Sequence, residues 1–251
     1  HARIGIGIWN ADRELMASLH SAERFAVLLV VGNVDESCPY EHICTDEPWK
    51  ELVRLLANGV IDGAVRGNLP AGRTMRALNE EFRLPVRRLA LIELSGWAFL
   101  LGPVGIDEGE TAQDRLDLLL GGSRLLQNMG VLPHAAVLSG GRMEDRGRCE
   151  RVDRSLLEGD QIAASALKAG IDAEHKGILI ENCRGDDVVI APEGISGNLI
   201  FRTLMLLCGA QSYGAPVLWE EEIFIDSSRA RNGFDGPVML AGAMAGMRKE
   251  K

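Results

Sequence analysis

The chain has 251 residues, 46% of them apolar and 25% charged. That length suits one large or two small globular domains, and the composition excludes a disordered chain, a collagen-like repeat and a disulfide scaffold. No run of about 20 residues lacks charge, which excludes a membrane-spanning bundle; the closest approach, Leu89 to Ile106, carries Glu93 and reads as two adjacent core strands.

The formal charge is −9, from 27 Lys and Arg against 36 Asp and Glu. Nonspecific nucleic-acid binding rests on neutralising phosphates, so an acidic chain argues against nucleic acid as a partner. A cleft can still be locally basic. Arginines outnumber lysines 22 to 5, and the arginine fork grips phosphate or carboxylate, although genomic base composition produces the same bias. Five cysteines stand at 38, 44, 149, 183 and 208. Their odd number, their irregular spacing and a chain that opens on a strand pattern without a signal peptide point to free thiols in the cytoplasm.

In chain order, Arg3 to Trp9 reads as a buried strand, and Asn10 is placed to cap a helix with Asp12 and Glu14 in its first turn. Phe25 to Val31 is a continuous apolar run, the mark of a central parallel strand. Gly32 to Pro48 is polar and irregular. A helix then runs to about Asn58, ended by Gly59. Ile61 to Val65 is a strand, Arg73 to Phe82 a helix and Val86 to Leu94 a strand. Gly109 to Met129 is mostly helical, with Leu116, Leu119, Leu120 and Leu126 on one face and Gly121-Gly122 weakening its middle. Ala135 to Leu138 is a strand, Arg151 to Lys168 a helix ended by Gly170, and Ile178 to Ile180 and Val188 to Ile190 are strands. Gly194 to Cys208 is a helix apolar nearly all round, the pattern of one covered on both sides. Ala215 to Ile225 includes a strand, and Pro237 to Met247 is a closing helix.

Strand and helix alternate throughout, so the fold class is α/β with largely parallel sheets and no internal repeat. Gly96 is the expected crossing point. With the last helix folding back onto the first half, the domains are 1–95 plus 226–251, and 96–225.

Several segments carry chemistry. Gly5 and Gly7 follow a strand, but the third position of a dinucleotide fingerprint is Asn10, which leaves a tight strand-to-helix turn. Cys38, His42 and Cys44 share a loop and have the donor chemistry of zinc. No fourth ligand stands nearby and the spacing matches no standard pattern, so a loop that happens to hold two thiols is the other reading and no metal is assigned. Ala191 to Asn198 ends a strand and opens a helix. Its free backbone N–H groups attract anions, and Ser196, Gly197 and Asn198 are candidate anion ligands, against an ordinary capped helix. Ser139-Gly140-Gly141-Arg142, followed by Arg146 and Arg148, is a second glycine- and arginine-bearing turn at a strand end. Asp226 to Asn232 is a third, leading to Asp235: Arg229 and Arg231 are candidate phosphate ligands and Asp235 a candidate base. Three such loops, each at a strand end, argue for a shared anion site.

Asp187 to Ile190 leading into Gly197-Asn198, then Gly209-Ala210, Gly214-Ala215-Pro216 and Ser227-Ser228-Arg229, resembles in order the phosphate acyltransferase family of phosphotransacetylases and phosphotransbutyrylases. Ile61 to Val65 with Thr74 and Arg76, and Thr111-Ala112-Gln113 through Ser139, are similar to upstream segments of that family, so the resemblance covers roughly residues 60 to 245. It implies two α/β domains with an interdomain cleft, like the isocitrate and isopropylmalate dehydrogenases, and a homodimer. It further implies acyl transfer between coenzyme A and phosphate, with Asp235 as the base, Ser228 stabilising the tetrahedral intermediate, Arg229 holding phosphate, Arg76 as a further anion ligand and Arg87 or Arg88 as another. The sequence departs from the family at Arg231, where a cysteine is usual, and at Leu206, where an arginine is usual. The shorter length and the loop Arg142 to Arg148 resemble an archaeal branch from methanogens, MtxX, described as methyltransferase subunits. That branch implies methyl transfer or an accessory role beside methyltransferase subunits, although no S-adenosylmethionine fingerprint and no corrinoid-type run is present. The expectation is thus a transferase for a small anionic, phosphorylated or coenzyme A-linked substrate, with a methyltransferase subunit or a non-catalytic ligand-binding relative as alternatives.

Overall fold

This computed structural model describes residues 1–35, 38–227 and 233–249. The chain divides into two compact units, His1–Arg87 with Ser212–Lys251, and Arg88–Gln211. The first unit opens with β1 (Arg3–Ile8), α1 (Arg13–Ala22), β2 (Val27–Gly32), β3 (Glu41–Ile43), α2 (Pro48–Ala57), β4 (Gly63–Val65) and α3 (Ala71–Phe82). The second contains β5 (Ala90–Leu94), β6 (Trp97–Gly102), α4 (Ala112–Asn128), β7 (His134–Leu138), α5 (Glu150–Lys168), β8 (Asp172–Gly177), β9 (Val188–Ile190) and α6 (Gly194–Leu207), and β10 (Gln211–Ser212) leads out of it. The chain then returns to the first unit with β11 (Ala215–Pro216), β12 (Phe224–Asp226) and α7 (Asp235–Lys249).

Among the described residues the strand order of the first sheet is β11-β12-β4-β1-β2-β3. All its pairings are parallel except β11 with β12. The register sets Gly5 opposite Leu29 and Gly7 opposite Val31, so both glycines share the face on which Leu29 and Val31 join the cluster built by Trp49, Leu52 and Leu56 of α2. A Cβ on Gly5 would lie 2.8 Å from Leu52 and 2.6 Å from Ile61, and one on Gly7 2.3 Å from Leu69. The Gly-x-Gly pair is therefore a packing device: it lets the apolar layer press against the strand. α7 packs on β1, β4 and β12. The cap of α1 is Asp12, whose carboxylate accepts the Leu15 N–H at 2.8 Å, and not Asn10. The Asn10 carbonyl instead accepts from the Asn68 side chain.

The second sheet runs β10-β5-β6-β9-β7-β8. β6, β9, β7 and β8 are parallel, and β5 is antiparallel to β6. Gly96 lies inside this unit, in the hairpin turn joining β5 and β6, where Ser95 and Gly96 both take left-handed backbone, the twist a two-residue hairpin requires.

Three expectations about this unit are corrected. α4 is continuous through Gly121-Gly122, capped by a reciprocal Thr111–Asp114 box. Its buried face is Arg115, Leu118, Leu119, Gly122 and Ser123, with Leu116, Leu120 and Leu126 only half-buried. Gly122 is there because a Cβ would meet Leu89 at 2.4 Å. The strand expected at Ile178 to Ile180 is instead Asp172–Gly177: the left-handed Gly177 ends it, and the Ile178 N–H turns to the Gly141 carbonyl. The polar run Asp-Ala-Glu-His-Lys hides this strand because β8 is an edge strand, half open to water. Finally, α6 is not covered on both sides. Only Gly194 and Gly197 are buried, while Ile195, Leu199, Leu206 and Leu207 are 59, 62, 48 and 81% exposed.

Candidate functional site

The carboxyl end of β7 carries a cavity of about 930 Å³ lined by Ser139, Cys149, Arg151, Arg154, Ser155 and Ser196, among others. Ligand sites of open α/β sheets sit at strand ends of this kind. The chain leaves β7 through a turn stapled on two sides. The Ser139 N–H donates to the Gly177 carbonyl at 2.8 Å, and the Gly140 N–H donates to the Ser155 hydroxyl at 2.8 Å.

Ser139 is 1% exposed and its hydroxyl meets a partner from the neighbouring strand. His175 Nε2 lies 2.8 Å from Ser139 Oγ, and His175 Nδ1 lies 2.8 Å from Asp160 Oδ1 on α5. The second Asp160 oxygen accepts from Arg146 at 2.5 Å. Burial works to raise the Asp160 carboxyl, but the hydrogen bonds from His175 and Arg146 outweigh it and hold the group below the usual Asp range. An ionised carboxylate only accepts, so in the neutral ring Nδ1 carries the proton and the lone pair of Nε2 faces the serine hydroxyl.

Arg115 is 2% exposed and reaches Glu158 at 2.6 Å, with its Nε on the Thr111 carbonyl. Glu193 fills the start of α6, accepting from the Ile195 and Ser196 N–H groups at 2.7 and 2.9 Å. Its pKa is lowered: burial opposes ionisation, and the Ser196 hydroxyl, these two amides and the charge of Arg151 prevail. The free amides expected to hold a ligand anion at this helix start are thus taken by the protein's own carboxylate. Asn198 donates to the Val104 carbonyl at 2.7 Å, and a Cβ on Gly197 would lie 1.8 Å from the Pro103 carbonyl oxygen. Gly197 and Asn198 therefore fasten the helix start to the 103–105 loop, while Ser196 lines the cavity.

The remaining candidates are dispersed. Arg142 is exposed, and its N–H donates to Asp145. Arg76 is exposed on α3. Arg88 pairs with Glu108 at 2.9 Å, and the Arg87 carbonyl accepts from Leu218. Asp235 opens α7 with Arg24 at 3.6 Å. Ser228, Arg229 and Arg231 lie outside the described residues. Leading into that segment, Arg66 is 4% exposed and binds Asp226, the Leu69 carbonyl and the Ser227 carbonyl, while the Ser227 hydroxyl donates to the Gly67 carbonyl. Cys38, His42 and Cys44 do not share one loop, because His42 lies in β3, paired with Val30 of β2; His42 Nδ1 meets the Tyr40 carbonyl and the Cys44 thiol the Val34 carbonyl. Among the described residues no three His, Cys, Asp or Glu side chains converge as metal ligands.

His175, Asp160, Ser155, Glu193 and Arg66 did not stand out in the sequence. No spacing links 139, 160 and 175, which meet only through the strand-helix-strand crossover. The one signal available was a histidine in a short polar strand next to the glycine-rich turn.

The fold is that of the phosphotransacylases. A branched-chain phosphotransacylase from Enterococcus faecalis superposes with a TM-score of 0.75 at 16% identity, over 99% of this chain and 100% of that one. A phosphotransacetylase from Streptococcus pyogenes gives 0.72 at 13% identity, over 99% and 94%. At these identities the likeness shows the fold alone. No family model matches the chain. Relatives from Methanosarcina acetivorans and Methanosarcina mazei, each named "Putative methyltransferase mtx subunit X", are 40% and 39% identical over all of this chain and 92% of theirs. A protein of Methanopyrus kandleri named an uncharacterized methyltransferase is 38% identical over 91% of this chain and 92% of its own. The chain belongs to the family of mtx subunit X. Among the described residues no helix is long and apolar enough to cross a membrane.

Proposed function

We propose that this chain is a group-transfer enzyme whose substrate is small and anionic, phosphorylated or linked to coenzyme A, and binds in the cavity at the carboxyl end of β7. The observation that carries the reading is that one cavity gathers Arg151 and Arg154 with Ser155, beside Ser139 and Ser196, whose hydroxyls are turned to His175 and to the Glu193 carbonyl. Guanidinium forks and hydroxyls are the donors that bind phosphate and carboxylate. The phosphotransacylase fold and the transferase names of the relatives support the class of reaction. For the first unit, the resemblance assigns Asp235 as base with Ser228 and Arg229. On that assignment Asp235→Asn abolishes turnover and leaves ligand affinity nearly intact. Loss of affinity with normal turnover per bound substrate would contradict it.

The name of the relatives favours a second reading, a subunit of a methyltransferase assembly, which predicts no activity alone and stable co-purification with a methyl-carrier protein. A homodimer is part of the proposal in either case. The exposed apolar side chains Ile195, Leu199, Leu206 and Leu207 of α6 support it, because several apolar side chains left in water on one helix mark an association surface, with the exposed Arg202 standing between Leu199 and Leu206. Free cysteines support a reducing, cytoplasmic setting.

A thermal-melting panel of coenzyme A, acetyl phosphate, S-adenosylmethionine and a corrinoid tests the reading. A ligand at 100 times its Kd adds about 2.7 kcal/mol, roughly 5–10 °C for a chain of this size. A shift with coenzyme A or acetyl phosphate supports the proposal. A shift with a methyl donor or corrinoid only moves the assignment to the second reading.

A further inference from the structure

The hydrogen-bonded line from Asp160 through His175 to Ser139 draws on His175 and Asp160, which neither the resemblance nor the anion-binding argument uses. It joins three features that a structural staple alone does not need. The hydroxyl lies 2.8 Å from Nε2, which carries the lone pair when the ring is neutral, the other nitrogen meets a carboxylate at 2.8 Å, and the serine is on the wall of a cavity of about 930 Å³. The imidazole is 5% exposed, so water does not compete for the hydroxyl proton. Arg146 pairs with the far oxygen of Asp160.

We infer that Ser139 is a nucleophile that accepts an acyl group from an activated donor (an ester, thioester or acyl phosphate), with His175 as its general base and Asp160 as the residue that positions His175. Nucleophile, base and orienting group in hydrogen-bond series are the arrangement this chemistry needs. Ser139 Oγ attacks the acyl carbon and forms the new ester bond while the bond to the leaving group breaks. The hydroxyl proton passes to His175 Nε2 and from there to the leaving group. In the return half, a thiol, phosphate or water attacks the acyl-serine, gives its proton to His175, and Ser139 Oγ takes that proton back as it leaves. No oxidant, reductant or metal enters. Asp160 stays ionised and keeps the imidazole in the tautomer that accepts at Nε2. This inference does not rest on the Asp235 assignment, nor on the identity of the natural substrate.

The test uses the full chain and p-nitrophenyl acetate, an activated ester. The expected result is release of one equivalent of p-nitrophenolate, with one acetyl group mapped to the peptide containing Ser139. Ser139→Ala abolishes the adduct, and His175→Gln slows it by about 100-fold or more, the size of a general-base contribution. Asp160→Asn falls between wild type and His175→Gln. Ser139→Cys, nearly isosteric, takes the acetyl group as a thioester at the same position, and adding His175→Gln slows that acylation as well. Melting curves of each variant show whether the fold is kept. An adduct on Cys149 or elsewhere, no adduct on a folded wild type, or equal rates in wild type and folded His175→Gln would each overturn the inference. The last outcome would make His175 a staple of the turn.

Discussion

Gly159 of α5 lies under the His175 ring, and its replacement by alanine is the sharpest test of how that ring is held. A Cβ at this position falls 2.3 Å from Nε2 and 2.7 Å from Cδ2 and Cε1. Carbon and nitrogen at rest stand about 3.5 Å apart, so the imidazole must retreat by about 1 Å. Either its 2.8 Å contact with Ser139 or that with Asp160 then opens beyond bonding distance. Helix propensity alone favours alanine by about 1 kcal/mol. Overpacking costs about 1–3 kcal/mol, and a lost hydrogen bond about 1 kcal/mol, or about 1.5–3 where the partner is charged. The balance is a loss of roughly 1–5 kcal/mol, read as a fall in Tm of about 2–20 °C for a chain this long. Calorimetry on Gly159→Ala beside Gly246→Ala measures it. A Cβ on Gly246 of α7 meets nothing within 4 Å, so that variant gains up to about 1 kcal/mol and melts about 2–4 °C higher. If Gly159→Ala melts at or above wild type, His175 has room to move, and the packing argument for a fixed ring fails.

Three further perturbations follow from the same geometry. Glu193 has a lowered folded-state pKa, so its contribution is fully present above the ordinary carboxylate range and is lost as pH falls through the lowered value. Wild type should therefore out-melt Glu193→Gln at pH 7, with the difference shrinking in acid; a difference that grows in acid has the wrong sign. Arg66→Leu removes the ion pair to Asp226, whose side chain is 13% exposed, and takes the guanidinium from the Leu69 and Ser227 carbonyls, at a cost of about 3–5 kcal/mol measured by denaturant unfolding. Burial pushes the Cys183 thiol up to about 12. At pH 8 Ellman's reagent should modify the exposed Cys44, Cys149 and Cys208 and reach Cys183 only with unfolding; rapid native labelling of Cys183 would contradict this.

The α/β alternation was legible because buried parallel strands such as Leu28 to Val31 are continuous apolar runs and helix ends carry their own signals. Thr111 three residues before Asp114 is a capping box in sequence and in space. What failed to show was set by tertiary partners. β8 reads as polar because one side of it has no neighbour strand. α6 reads as a core helix, yet its apolar face is exposed, since periodicity reports what a helix could bury and not whether anything covers it. The glycines at 5, 7, 122 and 197 look like flexible or ligand-binding positions, but each is explained by an atom that stands where its Cβ would be. At the site, the turn at Ser139 was visible as a glycine- and arginine-bearing loop after a strand. Its partners His175 and Asp160 were not, because each comes from a different element with no fixed spacing. Glu193 was passed over for the opposite reason: the helix start it caps has the pattern of an anion site, and the anion turned out to be the protein's own.

The central claim is that the cavity at the end of β7 is where substrate binds, and Cys149 is a native reporter on its wall. The most direct measurement is the rate of iodoacetamide labelling at each cysteine, followed peptide by peptide, with and without saturating coenzyme A or acetyl phosphate. Bound ligand is expected to slow Cys149 several-fold and leave Cys44 and Cys208 unchanged. If ligand binds, as judged by melting, while Cys149 reacts at its free rate, the substrate site lies elsewhere.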